Sequence, residues 1–182
     1  MRLAIVGTGL IGASAGLAAL RAGSDVVGWD EDPSVLEVAA ERGALEPTGS
    51  LADALHEADV VLVGVSRTSK TPLSMYLAQR GYKTGNVPIV PGIEPPKALL
   101  DLDPRKVFAL AVDPSHLLTV RQARVRVLGA PPYTTYADPE ALLEEVRRAR
   151  RIYRDQGWRV VDITGRAVEE NAARILRVVE EG

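Results

Sequence analysis

The sequence predicts a doubly wound α/β fold with a mainly parallel sheet. Three observations carry that expectation. Short, fully apolar runs recur along the chain ("RLAIV", "DVVLVGV", "KVFALAV"), as strands covered on both faces require. Helix-forming segments alternate with them. Two of the runs end in loops rich in glycine or small polar residues that open directly onto a helix, the usual place for a ligand in such folds.

The elements follow in order. "RLAIVG" is a buried strand ending in Gly7. "GTGLIG" then sets Gly7, Gly9 and Gly12 in G-x-G-x-x-G spacing. The small, apolar segment "ASAGLAALRAG" continues as a helix stopped by Gly23. "DVVGWD" is a second strand and ends in Asp30. In this order Gly7 permits the tight turn, Gly9 lets the backbone approach a pyrophosphate, and Gly12 lets helix and strand pack closely. Asp30 stands where a carboxylate accepts from a ribose 2′-hydroxyl. The same glycines would also serve a turn that binds nothing. His56 falls in the short helical segment "LADALHEAD" and His116 in "DPSHLL"; both read as solvent-exposed.

The strand 59–65 runs into Gly64-Val65-Ser66-Arg67-Thr68-Ser69-Lys70-Thr71. This is phosphate-loop spacing with Ser69 in place of the second glycine. Backbone N–H groups of Gly64, Ser66, Arg67, Thr68 and Ser69 would wrap a diphosphate. Lys70 would reach its terminal oxygens, and the Thr71 hydroxyl would reach Mg²⁺. Ser69 would need a backbone conformation that glycine adopts more freely. Pro72 is tolerated in the first helical turn.

Beyond the loop, strands are expected at 86–90, 106–112 and 158–163. Helices are expected at about 70–80, 94–101, 114–127, 138–156 and 166–180. Asp113 ends an apolar strand and reads either as a Mg²⁺-side, catalytic acid or as the N-cap of the helix that "DPSH" begins. Asp162 reads either as a phosphotransfer acid or as a cap. The run "RRARRIYR" (147–154) is either a solvated, dipole-matched helix face or a docking surface for an acidic partner.

Composition sets outer bounds. Hydrophobic residues make up 46% of the 182 and aromatics 4%, so the core must be aliphatic. There is no Cys and there are only two His, which argues against thiolate chemistry and a His-rich metal site. No apolar run is long enough to span a bilayer, and no secretory leader pattern opens the chain, so a cytoplasmic protein is expected. The net charge of −2 and the scarcity of aromatics argue against nucleic-acid binding. The charge is uneven: residues 1–58 hold 3 Lys/Arg and 9 Asp/Glu, whereas residues 59–182 hold 19 and 15. Such a shift is compatible with a junction.

Two family resemblances attach to these motifs. Residues 1–63, with "AIVGTGLIGASAGLAALRAG" and "VVGWDEDPSVLEVAAERGALEPTGSLADALHEADVVLV", resemble the NAD-binding segment of prephenate dehydrogenases. That likeness implies NAD as cofactor. The helical domain and catalytic His that the family carries have no counterpart after residue 64. From about Asp59 to Ile175, "GVSRTSKTPLSMYLAQRGYKTGNVPIVPGIEPPKALL", "TYADPEALLEEVRRARRIYRDQGW" and "VVDITGRAVEENAARIL" resemble another family. These stretches resemble the C-terminal, nucleotide-binding domain of the regulators of phosphoenolpyruvate synthase and pyruvate, phosphate dikinase. Ser69 of S-K-T belongs to that family's own pattern. The resemblance implies ADP or ATP with Mg²⁺ as ligand and a dikinase or synthase as protein substrate. It implies phosphorylation of a partner Thr from ADP, and its removal by inorganic phosphate with release of pyrophosphate. The regulators carry another domain ahead of this segment; the dehydrogenase-like segment stands in its place, so residues from that domain are expected to be lost.

Together the readings predict a chimera, engineered rather than naturally fused, of a half at 1–63 and a half at 59–182. The two would share the strand 59–65 in one continuous sheet. The lead expectation is a nucleotide-binding phosphate-loop protein with little turnover, followed by an inert hybrid fold and then an NAD-binding fragment. Exposed sheet edges are compatible with a homodimer.

Overall fold

A computed structural model describes residues 2–6, 9–21, 23, 25–30, 32–47, 50–129 and 135–181. The expected α/β architecture is present, and every strand ladder is parallel. The first part contains β1 (Arg2–Val6), α1 (Leu10–Arg21), β2 (Asp25–Trp29), α2 (Pro33–Glu41), β3 (Glu46–Pro47) and α3 (Leu51–His56). The second contains β4 (Val60–Gly64), α4 (Lys70–Gln79), β5 (Thr84–Pro88), α5 (Lys97–Leu100) and β6 (Val107–Ala111). It continues through α6 (Pro114–Leu128), α7 (Pro139–Asp155), β7 (Arg159–Asp162) and α8 (Val168–Glu181).

Local chemistry explains most boundaries. Asp-Pro begins α2, α6 and α7, the Asp accepting backbone N–H groups and the Pro occupying the first turn. Gly129, in the left-handed region at φ 61°, closes α6. The helix expected over 94–101 contracts to α5, because Pro95 and Pro96 cannot lie inside a helix. The strand expected at 86–90 begins at Thr84, since Lys83 N donates to Asp59 Oδ2 (2.8 Å) and zips β5 to β4 earlier.

Among the described residues, the strands form two hydrogen-bonded sheets, ordered β1-β2-β3 and β5-β4-β6-β7. This corrects the expectation of one continuous sheet in which β4 lies beside β1. A strand has two edges, and both edges of β4 are taken. Val60–Gly64 pairs with Thr84–Pro88, and Val61–Val63 pairs with Val107–Ala109. β1 lies next to β5 instead.

All five residues of β4 are buried, as its unbroken apolar run requires. The main core packs Leu62, Phe108, Leu73, Leu117, Tyr153 and Ile175 around this strand, with Trp29 of β2 against its margin. A second cluster holds Val26, Ala39 and Leu45 together with Ala78 of α4. The two parts therefore interlock through side chains. Among the described residues, no helix is long and apolar enough to cross a membrane.

Candidate functional site: a phosphate loop propped on a buried ion pair

The C-terminal end of β4 feeds residues 65–69 and then the first turn of α4. Gly64 is required there for space: a Cβ would lie 2.6 Å from Thr68 Oγ1 and 3.3 Å from Leu110 O. The Thr68 hydroxyl, buried, donates to Val65 O (2.9 Å) and folds the loop on itself. Arg67 and Ser69 both adopt positive φ, 69° and 54°. Ser69 thus occupies the left-handed region that its place in the motif demanded, at a cost glycine would avoid.

Lys70 is 9% exposed, and its ammonium donates to Gly64 O (2.8 Å) and Val65 O (2.9 Å). Burial lowers its pKa to about 8, helped by the nearby Arg121 cation and opposed by Glu145. Thr71 is exposed at the head of α4, where its hydroxyl accepts from Asn86 Nδ2 at 3.4 Å.

These residues line a cleft of about 610 Å³, within the range of small-molecule sites. Ser66, Arg67, Thr68, Ser69, Lys70 and Thr71 form one wall; Val112, His116, Val120, Ile163 and Arg166 face them. His116 is exposed, as expected, but it borders the cleft. Arg166 donates to Asp162 O (2.8 Å) and pairs with Glu170 (3.1 Å). Among the described residues no group of three or more His, Asp or Glu is arranged to hold a metal.

Of the two carboxylates that read either as acids or as caps, Asp113 is the N-cap of α6 and Asp162 closes a tight turn after β7. Asp113 Oδ1 accepts from Ser115 N (2.9 Å), His116 N (3.1 Å) and the Ser115 hydroxyl. Asp162 Oδ1 accepts from Thr164 N (2.9 Å) and Thr164 Oγ1 (2.7 Å). The Ser115 and Thr164 hydroxyls hold the respective pKa values below the usual carboxylate range. Both side chains border a separate groove of about 560 Å³ with Arg150 and Arg154, not the phosphate-loop cleft. Of the arginine run, Arg148 is an anchor: it donates to Val90 O, Ile93 O and Glu94 Oε1. Arg151 and Arg154 pair with Glu144 and Asp155 at the surface.

Motif reading missed the support beneath the loop. Arg121, 1% exposed, makes a bidentate pair with Glu145 (2.6 and 2.8 Å). It also donates to Ser66 O and Tyr136 O, both at 3.2 Å, and stacks over the Tyr136 ring at 4.7 Å. The signal was present in the pattern: Arg121 interrupts the buried i, i+4 stripe Leu117–Arg121–Val125. Glu145 lies beside the buried stripe Leu142, Val146, Ala149 and Tyr153 of α7.

At the N-terminal loop, Gly7 lies outside the described residues. Gly9 is exposed, with no heavy atom within 4 Å of a Cβ placed there, and Gly12 lies in α1. Gly16, also in α1, makes a close approach of its own: a Cβ there would meet Ala44 O at 2.2 Å. Asp30 follows β2, and its Oδ1 accepts from Asp32 N (3.1 Å).

The family model for kinase/pyrophosphorylase matches residues 48–176. A second model, NADP oxidoreductase coenzyme F420-dependent, matches residues 2–80. A protein of Geotalea daltonii, named as a pyruvate, phosphate dikinase regulatory protein, is 54% identical over 129 residues. That match covers 70% of this chain and 48% of the relative. Pyruvate, phosphate dikinase regulatory protein 1, chloroplastic, of Arabidopsis thaliana is 48% identical over 136 residues, 73% of this chain and 34% of the relative. The chain thus spans about half or less of the length of these relatives. Among solved structures, arogenate dehydrogenase of Synechocystis aligns at 20% identity and a TM-score of 0.37, over 90% of this chain and 60% of that one. With more than half of its length matched by the first model, the chain belongs to the kinase/pyrophosphorylase family.

Proposed function

We propose that the cleft beside β4 binds a nucleoside diphosphate or triphosphate with Mg²⁺, as the nucleotide site of a dikinase-type regulator. One observation carries this reading: the Lys70 ammonium is held inside the loop on the carbonyls of Gly64 and Val65, within a cleft of nucleotide size. On binding, phosphate oxygens replace those carbonyls as its partners. The loop N–H groups would take the remaining oxygens, and the Thr71 hydroxyl would help hold a Mg²⁺ ion that neutralises phosphate charge.

Regulators named for pyruvate, phosphate dikinase among the relatives point to that enzyme, or a synthase of the same chemistry, as protein partner. The transfer in that reading breaks the bond between the bridging oxygen and the β-phosphorus of ADP and forms an ester bond from that phosphorus to a partner hydroxyl; AMP leaves and the hydroxyl proton is released. Lys70 would offset charge on the phosphates, and a bound Mg²⁺ would supply further electrostatic stabilisation. Because Asp113 and Asp162 are engaged in a cap and a turn away from the cleft, binding with little turnover is the form of the reading the geometry supports best.

The test is calorimetric titration of Mg·ADP into the wild type and Lys70→Ala. Saturable binding lost in Lys70→Ala supports the reading; no heat with the wild type overturns it and leaves an inert hybrid. A second reading has its own observation, the match of residues 2–80 to an NADP oxidoreductase model. It assigns a dinucleotide to Gly7, Gly9, Gly12 and Asp30. NAD that binds the wild type and binds Asp30→Ala more weakly supports it, and ADP binding unaffected by NAD would place the two ligands in separate sites. In both readings β4 is the seam at which two α/β families meet.

A further inference from the structure

We infer that Arg121 is the positioning residue of the phosphate loop, turning the Ser66–Arg67 peptide so that the Arg67 N–H faces the bound phosphate. The inference rests on the nucleotide reading of the cleft. It begins from a cost. A fully buried guanidinium and its carboxylate give up hydration that their mutual attraction seldom returns in full, and apolar replacements of similar size often leave such proteins as stable or more so. A Met or Leu would continue the stripe Leu117–Val125 without that cost. Stability therefore does not explain the residue.

What the guanidinium alone supplies is a rigid fork with several donors. Glu145 holds it from α7 by two bonds, Tyr136 receives one through its carbonyl and packs its ring on the plane, and Ser66 O receives another. In a trans peptide the C=O and the following N–H point in opposite directions. A Ser66 carbonyl drawn inward to Arg121 therefore directs the Arg67 N–H away from the core. Ser66 and Arg67 line the cleft.

The backbone agrees. Arg67 has φ 69°, a conformation that a non-glycine residue keeps only where its surroundings impose it. The bond from Arg121 to the carbonyl immediately before it is such a constraint. A contact of 3.4 Å between the Ser66 and Tyr136 hydroxyls braces the same residue.

The experiment compares wild type, the volume-filling pair Arg121→Met/Glu145→Leu, and Arg121→Lys, which keeps a charge for Glu145 but not the fork. Each is titrated with Mg·ADP, and the backbone amide of Arg67 is followed by NMR with and without the nucleotide. The expected result is a cooperative melt for both variants, at least a tenfold loss of Mg·ADP affinity, and an Arg67 amide that shifts with nucleotide only in the wild type. A folded variant that binds like the wild type overturns the inference. If the double variant does not fold, Arg121→Lys decides alone. If the wild type binds no nucleotide, the reading of the cleft fails, and the free proteins still decide the positioning role. An Arg67 resonance displaced in the variants supports it, and one unmoved overturns it.

Discussion

The two loops of this chain start alike and are built from different materials. Each leaves an apolar strand and enters a helix. At the N-terminal loop Gly9 is exposed and has open space around it, so in the dinucleotide reading bare backbone would meet the ligand there. At the second loop the working features are buried polar side chains. Thr68, Lys70 and Arg121 hold backbone carbonyls from within, and Gly64 is surrounded. Their foundations differ likewise. Among the described residues, the first loop stands on a sheet whose third strand has two residues and on a cluster of four buried side chains. The second stands on β4, buried on both faces at the centre of the main core. A loop that shapes its site with side chains needs a core deep enough to bury them; a loop that shapes it with bare backbone does not.

The largest effect should come from the foundations. Leu62→Ala, at the centre of β4, should cost about 4 kcal/mol, against about 2 kcal/mol for Val26→Ala in the small cluster. Urea unfolding measures both. Because Ala78 and Trp29 tie the parts together, each variant should unfold in one transition; separate transitions would break the comparison into two independent domains.

Next are the glycines themselves. Gly64→Ala must displace the buried Thr68 hydroxyl or the Leu110 carbonyl. A loss of about 2 kcal/mol and a tenfold or greater fall in Mg·ADP affinity are expected. Gly9→Ala meets nothing, so stability to urea should stay within about 0.5 kcal/mol of wild type, and only dinucleotide affinity should fall. Equal losses of stability in the two variants would remove the distinction.

A smaller effect separates the loops by pH. The Lys70 pKa, lowered to about 8 in the folded chain from 10.5, makes its charge partial in mildly alkaline solution. Arg121 and Glu145 are the charged groups acting on it from α6 and α7. Mg·ADP affinity should decline as pH rises above 8, by at most about tenfold per unit. Stability takes the opposite sign. Between about 8 and 10.5 the unfolded chain holds more protons at this residue than the folded one, so the Lys70 contribution to stability rises over that window. Calorimetry across pH tests the first and chemical denaturation the second; NAD affinity should not follow the Lys70 titration.

The smallest effect is expected at Ser69. Glycine would relieve the left-handed backbone at φ 54° but would also lose more conformational freedom on folding. Ser69→Gly should gain no more than about 1 kcal/mol, read as a rise of a few degrees in melting temperature.

Much of this was legible in advance because it is local. Apolar runs of five residues mark β4 and β6, Asp-Pro pairs mark three helix starts, and G-x-x-x-x-S-K-T marks both the turn and the strain at Ser69. Each depends on neighbours within a few residues, where backbone sterics and capping hydrogen bonds act. The missed features depend on partners far away in the chain. Nothing near Asp113 announces whether its carboxylate faces the cleft or the groove beyond, and that depends on how β6 and β7 end together at Thr164. Arg121 and Glu145 each look like a surface charge until α6 and α7 bring them within 2.6 Å.

Strand types, loop types and helix caps are thus properties of the one-dimensional chain, since short-range sterics and hydrogen bonding decide them. Strand order, the neighbour of β1 and the support of the phosphate loop belong to the assembled molecule. They are decided by competition for strand edges and for buried space, in which β5 took the edge of β4 expected for β1 and a guanidinium took a place in an apolar stripe.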